Sequence, residues 1–220
     1  MFSRLGVVTR AAPLALGRGR LDELLGGGIP RGQVVEISGA PSSGKATLAF
    51  AVCLRALEGG QAAAWIDVGG GFCPLAAAEA GAPLERLLVV RLRESASALR
   101  AAHILLSSAG AVAALVVDLP QGTASPRDRE LMALQRLAER SSTALVFVTA
   151  RAKTAPSIGA QVAVRLHVER VPCRADENGG AGALDQRLRV EVLRHKQGAS
   201  HRSIEEDTRG PDRVRVRSSL

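Results

Sequence analysis

One stretch constrains the fold more than any other: Val34-Val35-Glu36-Ile37-Ser38-Gly39-Ala40-Pro41-Ser42-Ser43-Gly44-Lys45-Ala46-Thr47. Its β-branched start reads as a buried strand. A turn bounded by Gly39 and Gly44 follows, and Ala46–Leu57 then reads as a helix closed by Gly59-Gly60. Gly39 to Lys45 fits G-x-x-x-x-G-K, the phosphate-cradling loop. The glycines let main-chain N–H groups converge on phosphate oxygens. The helix N-terminus adds partial positive charge, and Lys45 reaches outward to the terminal phosphates. Of 29 basic residues only Lys45, Lys153 and Lys196 are lysines, so a lysine at this position is not filler.

One position breaks the pattern. The residue after Lys45 should carry the hydroxyl that binds Mg²⁺, and it is Ala46. Thr47 is next, but one helical step turns a side chain by about 100°. The loop keeps its shape and loses part of its metal chemistry.

The rest of the chain alternates. Strands are expected at 62–68, 87–92, 112–118 and 143–149. Helices are expected at 74–80 and 95–108, the second capped by Ser95, with another opened by Ser125-Pro126. Such alternation implies a mostly parallel central sheet with helices on both faces. Val162–Val171 and Arg187–Leu193 follow without a helix between them, as an antiparallel C-terminal extension joined by the polar loop 175–183. Residues 1–20 are expected to be a basic arm, 21–199 the core domain and 200–220 a flexible tail, with no internal repeat.

Composition narrows the partners. With 220 residues there is room for one α/β domain with a real core,. Tyr is absent, and Trp65, Phe2, Phe50, Phe72 and Phe147 are the only aromatics, which argues against a base-stacking single-strand binder. The net charge of +8 points to an acidic partner, nucleic acid or protein, or to a solvated arginine bias. Cys53, Cys73 and Cys173 form no C-x-x-C pair, so neither metal site nor disulfide framework is expected. No segment is apolar enough to span a membrane, and Met1–Leu16 lacks the apolar core of a signal peptide. The expected location is the cytoplasm.

Leu21-Asp22-Glu23-Leu24-Leu25-Gly26-Gly27-Gly28-Ile29-Pro30-Arg31-Gly32, Val34–Ile37 and Gly39–Thr47 together resemble the core of RecA-type recombinases. The likeness continues through Trp65-Ile66-Asp67, Leu115–Asp118, Val162–Leu166 and Arg189–Lys196, over roughly residues 15 to 200 in order. It implies a RecA-like phosphate-loop fold, with Gly39, Ala40, Pro41, Ser42, Ser43, Gly44, Lys45, Ala46, Thr47 and Asp118 around ATP or ADP. Asp118 would hold Mg²⁺ through water, or merely cap a turn.

The departures carry as much as the matches. The family's water-activating glutamate falls at Gly69, and losing such a base costs about 10²–10⁴-fold in rate. Its polar Asn-Gln sensor pair is Thr149-Ala150 here. Its two DNA-facing loops are short, 120–125 and 151–159, the second keeping Arg151 and Lys153. Arg194 and Lys196 match basic residues that reach a neighbouring subunit's nucleotide, or are two solvated cations. No long self-filament is expected. The pattern is most similar to the ImuA-type mutagenesis accessory proteins. That likeness implies RecA and a polymerase-like, ImuB-type protein as partners, weak non-specific DNA contact, and little or no hydrolysis. A DNA-dependent ATPase paralogue and a SulA-type division inhibitor are the competing readings.

Overall fold

The computed structural model describes residues 11–108, 110–172, 186–198 and 200–207. The expected loop 175–183 and residues 208–220 of the expected tail lie outside them. Val34–Ser38 forms β1, and the phosphate-loop turn leads into helix α2, Lys45–Glu58. Before them stands a short helix, α1 (Gly19–Leu24). After them come β2 (Ala63–Asp67), α3 (Pro74–Glu79), β3 (Leu87–Arg91), α4 (Ser95–Ser107), β4 (Ala114–Asp118), α5 (Asp128–Ser141) and β5 (Ala144–Thr149). The chain then runs through β6 (Val162–Pro172), β7 (Gln186–His195) and β8 (Arg202–Asp207).

All eight strands join one sheet in the order β3-β2-β4-β5-β1-β6-β7-β8. β3 through β6 run parallel to one another, while β6–β7 and β7–β8 pair antiparallel. The inner parallel strands β1, β2, β4 and β5 are buried almost throughout, as crossover helices on both faces require,, whereas the edge strand β3 leaves Leu88 exposed. In β1 the alternation separates two cores: Val35 and Ile37 pack with Leu48, Val52 and Cys53 of α2, whereas Val34 joins Leu131 and Leu134 of α5 on the other face. Cys53, as a wholly buried thiol, has its pKa pushed up to about 12 by burial and behaves as a small apolar residue. Trp65, Phe50 and Phe72 gather on the α2 side, with ring centroids 5.0–6.5 Å apart.

Four details differ from the sequence expectation. The core does not begin at residue 21, because the second half of the expected arm already belongs to it: Leu14 and Leu16 are buried, Leu14 exchanges two main-chain hydrogen bonds with Ile29, and Asp22 accepts from the N–H groups of Leu16 and Arg18. The tail contributes too, because 202–207 is β8, and Ile204 packs against the core. Ser95 is the first residue of α4 rather than its cap; its hydroxyl lies 3.3 Å from Thr123 Oγ1. Likewise α5 starts at Asp128, where the Arg127 N–H donates to Glu130 Oε2 at 2.8 Å. Ser125 is taken up by a tertiary bond instead, accepting from Arg151 Nη2, so its capping propensity is overridden.

Candidate phosphate-binding site

The turn between β1 and α2 has the backbone its glycines require. Ser42 and Gly44 both sit at positive φ, 59° and 92°. A Cβ at Gly39 would fall 2.5 Å from Val168 O of β6, and one at Gly44 would fall 2.4 Å from Leu188 Cδ2 of β7. Gly39 therefore has no room for a side chain, and at Gly44 the positive φ would strain one even if Leu188 shifted,. Since α2 begins at Lys45, the amides of its first turn have no carbonyl one turn back to pair with. They form the positive end of the helix dipole. Ser43 Oγ is buried and has no hydrogen-bond partner, and Lys45 Nζ folds back to donate to Ala40 O at 3.1 Å. An orphaned hydroxyl, first-turn amides and a lysine in one turn make a donor set that fits phosphate oxygens. The metal side is different. Ala46 offers no oxygen, and Thr47, a step further round the helix, is exposed.

Two carboxylates stand at the ends of adjacent strands, Asp67 of β2 opposite Asp118 of β4. Burial, and then the charge of Asp67, push the Asp118 pKa up to about 6, against the pull of Lys45. Asp67 is committed to structure. Its two oxygens accept from the N–H groups of Gly71 and Phe72, each at 3.1 Å, and Arg91 Nε lies 3.9 Å away. That pins the turn after β2 and leaves Gly69 within it. A Cβ on Gly69 would meet only Pro120 Cβ, at 3.7 Å. The position expected for a water-activating acid has space and no acid.

Beneath the loop lies a cluster that sequence reasoning passed over. Glu36, in the middle of β1, is fully buried. It accepts from Thr149 Oγ1 at 3.0 Å and from the Ile158 N–H at 3.2 Å. Arg165 Nε of β6 lies 3.4 Å from it, and Arg151 Nε lies 3.9 Å away. Burial raises the Glu36 pKa, opposed first by Arg165. Arg165 also donates to the carbonyls of Ala152 and Ala155, so the pair clamps the loop 150–161 to the sheet. Next to it, Ser38 Oγ donates to Leu166 O at 3.0 Å and lies 3.1 Å from His167 Nδ1. Burial pulls the His167 pKa down, while Glu169, 3.4 Å from Nε2, opposes. The available signal was a charge in the midst of each apolar run: Glu36 in β1, Arg165 and His167 in β6.

The remaining expected contact residues do not converge on the phosphate loop. Arg151 donates to Pro156 O and Ser125 Oγ, tying the loops after β4 and β5 together. Lys153 Nζ sits 2.5 Å from Glu191 Oε2. Arg194 and Lys196 lie where β6 begins, reaching Ala160 O and Gln161 O at 3.4 Å. That is the end of the sheet at which β1 starts, whereas the loop leaves from the other end, since Val34 pairs Val162 and Ser38 pairs His167. Burial and then Arg194 lower the Lys196 pKa.

The fold and this turn define a phosphate-loop α/β protein with an open, mostly parallel sheet and an antiparallel extension. Comparison with known proteins is more specific. The RecA N-terminal domain model matches residues 8–133, more than half of the chain. The RecA protein of Chloroflexus aurantiacus is 30% identical over 85% of this chain and 61% of its own length. That of Rhodospirillum rubrum is 41% identical over 51% of this chain and 31% of its own. A RadB recombinase crystal structure superposes with a TM-score of 0.68 at 20% identity, over 87% of this chain and 94% of that one, a likeness of fold. The chain belongs to the RecA family. It spans less than two thirds of the length of the RecA proteins named here.

Proposed function

We propose that this chain is a RecA-like accessory protein which binds the phosphates of ATP or ADP without turning them over efficiently, and which acts through protein partners. The observation that carries the reading is the joint loss at three separate roles. Ala46 removes the metal-binding hydroxyl. Gly69 removes the general base, and Asp67 is committed to the turn that holds Gly69. Thr149 bonds to Glu36 in place of a nucleotide-sensing amide. In-line phosphoryl transfer depends on charge neutralisation and a positioned water, and each of these groups serves one of those needs.

Main-chain amides, Ser43 and Lys45 supply a grip that needs no metal. Mg²⁺, when bound, would shield the phosphates and is left with Asp118 as its nearby acid. The resemblance to ImuA-type proteins adds the setting: DNA-damage mutagenesis, with RecA and a polymerase-like protein as partners. Arg194 and Lys196, at the far end of the sheet from the phosphate loop, suit contact with a second protein better than contact with this chain's own nucleotide.

The test combines nucleotide binding, phosphate release and a pull-down. ADP should bind the wild-type chain and fail to bind Lys45→Ala. Phosphate release should stay at buffer background with or without DNA, and RecA should be retained on the immobilised chain. DNA-stimulated release that Lys45→Ala abolishes would instead establish an active ATPase. RecA left in the flow-through, with and without nucleotide and DNA, would remove the partner half of the proposal.

A further inference from the structure

Away from the phosphate loop, on the face of the sheet opposite α2, residues of α4, α5 and the loop after β4 line a groove of about 760 Å³. Its floor is aliphatic, built from Leu99, Leu119 and Leu134, and Ile104 on its α4 wall is 66% exposed. Nothing described in the chain covers that isoleucine. The rim is basic. Arg100 on α4 makes one side-chain bond, from Nη2 to Ser97 Oγ at 2.9 Å. Arg127 guards the start of α5, and among the described residues neither arginine is ion-paired with a carboxylate. The one acid on the lining, Glu130, is turned to the Arg127 N–H.

We infer that the α4–α5 groove is a docking surface for an amphipathic segment of a partner protein whose apolar anchors are flanked by acidic residues. An exposed branched aliphatic above an aliphatic trough asks for apolar side chains, the arrangement by which a helix is read in a groove. The unpaired arginines on either side ask for carboxylates, and such complementarity selects the partner and speeds encounter. This chain's own ends have the wrong sign. Residues 1–10 carry Arg4 and Arg10 with no acid, and 208–220 carry four arginines against Asp212. A second copy, with a net charge of +8, is disfavoured for the same reason. Nucleic acid would leave the aliphatic floor unused, since that floor has no ring on which a base can stack.

Fluorescence anisotropy with the full-length chain tests this without reference to nucleotide. The probe is a short fluorescein-labelled helical peptide with leucines on one face and Glu and Asp on the other. Its twin carries lysines in place of the acids. The acidic peptide should saturate, and the lysine twin should not. Ile104→Asp and Arg100→Glu should each weaken binding about tenfold or more, as loss of an interface anchor does. Arg20→Glu, an exposed arginine on α1, should change it by less than about twofold. Both groove substitutions are at the surface, and an unchanged circular dichroism spectrum confirms the fold. Failure of the acidic peptide to saturate, equal binding of the twin, or an unaffected Ile104→Asp variant would overturn the inference. Equal loss in Arg20→Glu would also overturn it, by revealing diffuse charge attraction.

Discussion

At the scale of single residues, Glu36 and Arg165 form an ion pair inside the core. Both are buried, and their attraction is worth keeping only because Thr149, the Ile158 N–H and two loop carbonyls satisfy the remaining valences,. Glu36→Ala strands a guanidinium and should cost about 3–5 kcal/mol in urea unfolding. Glu36→Leu combined with Arg165→Met should recover most of that loss; a Glu36→Ala cost under about 1 kcal/mol would show the pair to be unimportant. Asp118 gives a pH signature. Its folded pKa of about 6 lies above the ordinary 3.8, so its proton favours the folded state. Its stabilising share is whole below pH 3.8 and is lost as pH rises through 6,. Asp118→Asn should flatten stability between those limits and raise it above the upper one, read from thermal midpoints across a buffer series. An unchanged pH profile in the variant would place the titration elsewhere.

Among the elements, β8 is the one whose weight is least expected. It pairs with β7 over six residues, Arg187–Asp207 to Val192–Arg202, and the ion pair of Arg189 with Glu205 crosses the two strands. Without it β7 becomes an edge and Ile204 no longer covers the core. A chain ending at Ser200 should therefore lose hydrogen-exchange protection along β7 and unfold at a lower temperature. Retained protection at Val190 and Val192 would mean that β6 alone holds that strand. The two loops expected to face DNA are likewise more committed than their length suggests. Arg151 joins one to the other, and Glu36 with Arg165 holds the second to the sheet.

On the scale of the whole molecule, charge and architecture pull apart. A net charge of +8 favours an acidic partner in general, yet Arg151 and Lys153 are occupied within the chain. Any attraction to nucleic acid is then expected to be diffuse and carried by phosphate contacts. The affinity for duplex DNA should thus be sequence-indifferent and should fall linearly with salt on logarithmic axes, with a shallow slope of a few contacts. Arg151→Ala should leave that slope unaltered. Salt-insensitive binding, or a slope that Arg151→Ala reduces, would return the loop to the role of a DNA finger.

The features legible before any folding are those written in short-range pattern. Gly39 to Lys45 between a β-branched run and an apolar helix specified the turn. Alternating strands and helices specified the parallel sheet, and two helix-free runs specified its antiparallel extension. Ala46 and Gly69 were legible as positions without a hydroxyl or a carboxylate, because those are statements about residue identity. Tertiary structure decided whatever depends on partners distant in the chain. Leu14 belongs to the body only because Ile29 folds back to meet it, and 202–207 is a strand only because β7 offers an edge. Ser125 is no helix cap, since Arg151 arrives from another loop to claim its hydroxyl. Glu36 is tolerable in a core strand for the same reason: its counter-charge comes from a strand more than a hundred residues further on, and a buried charge is stable only where such a partner is brought to it.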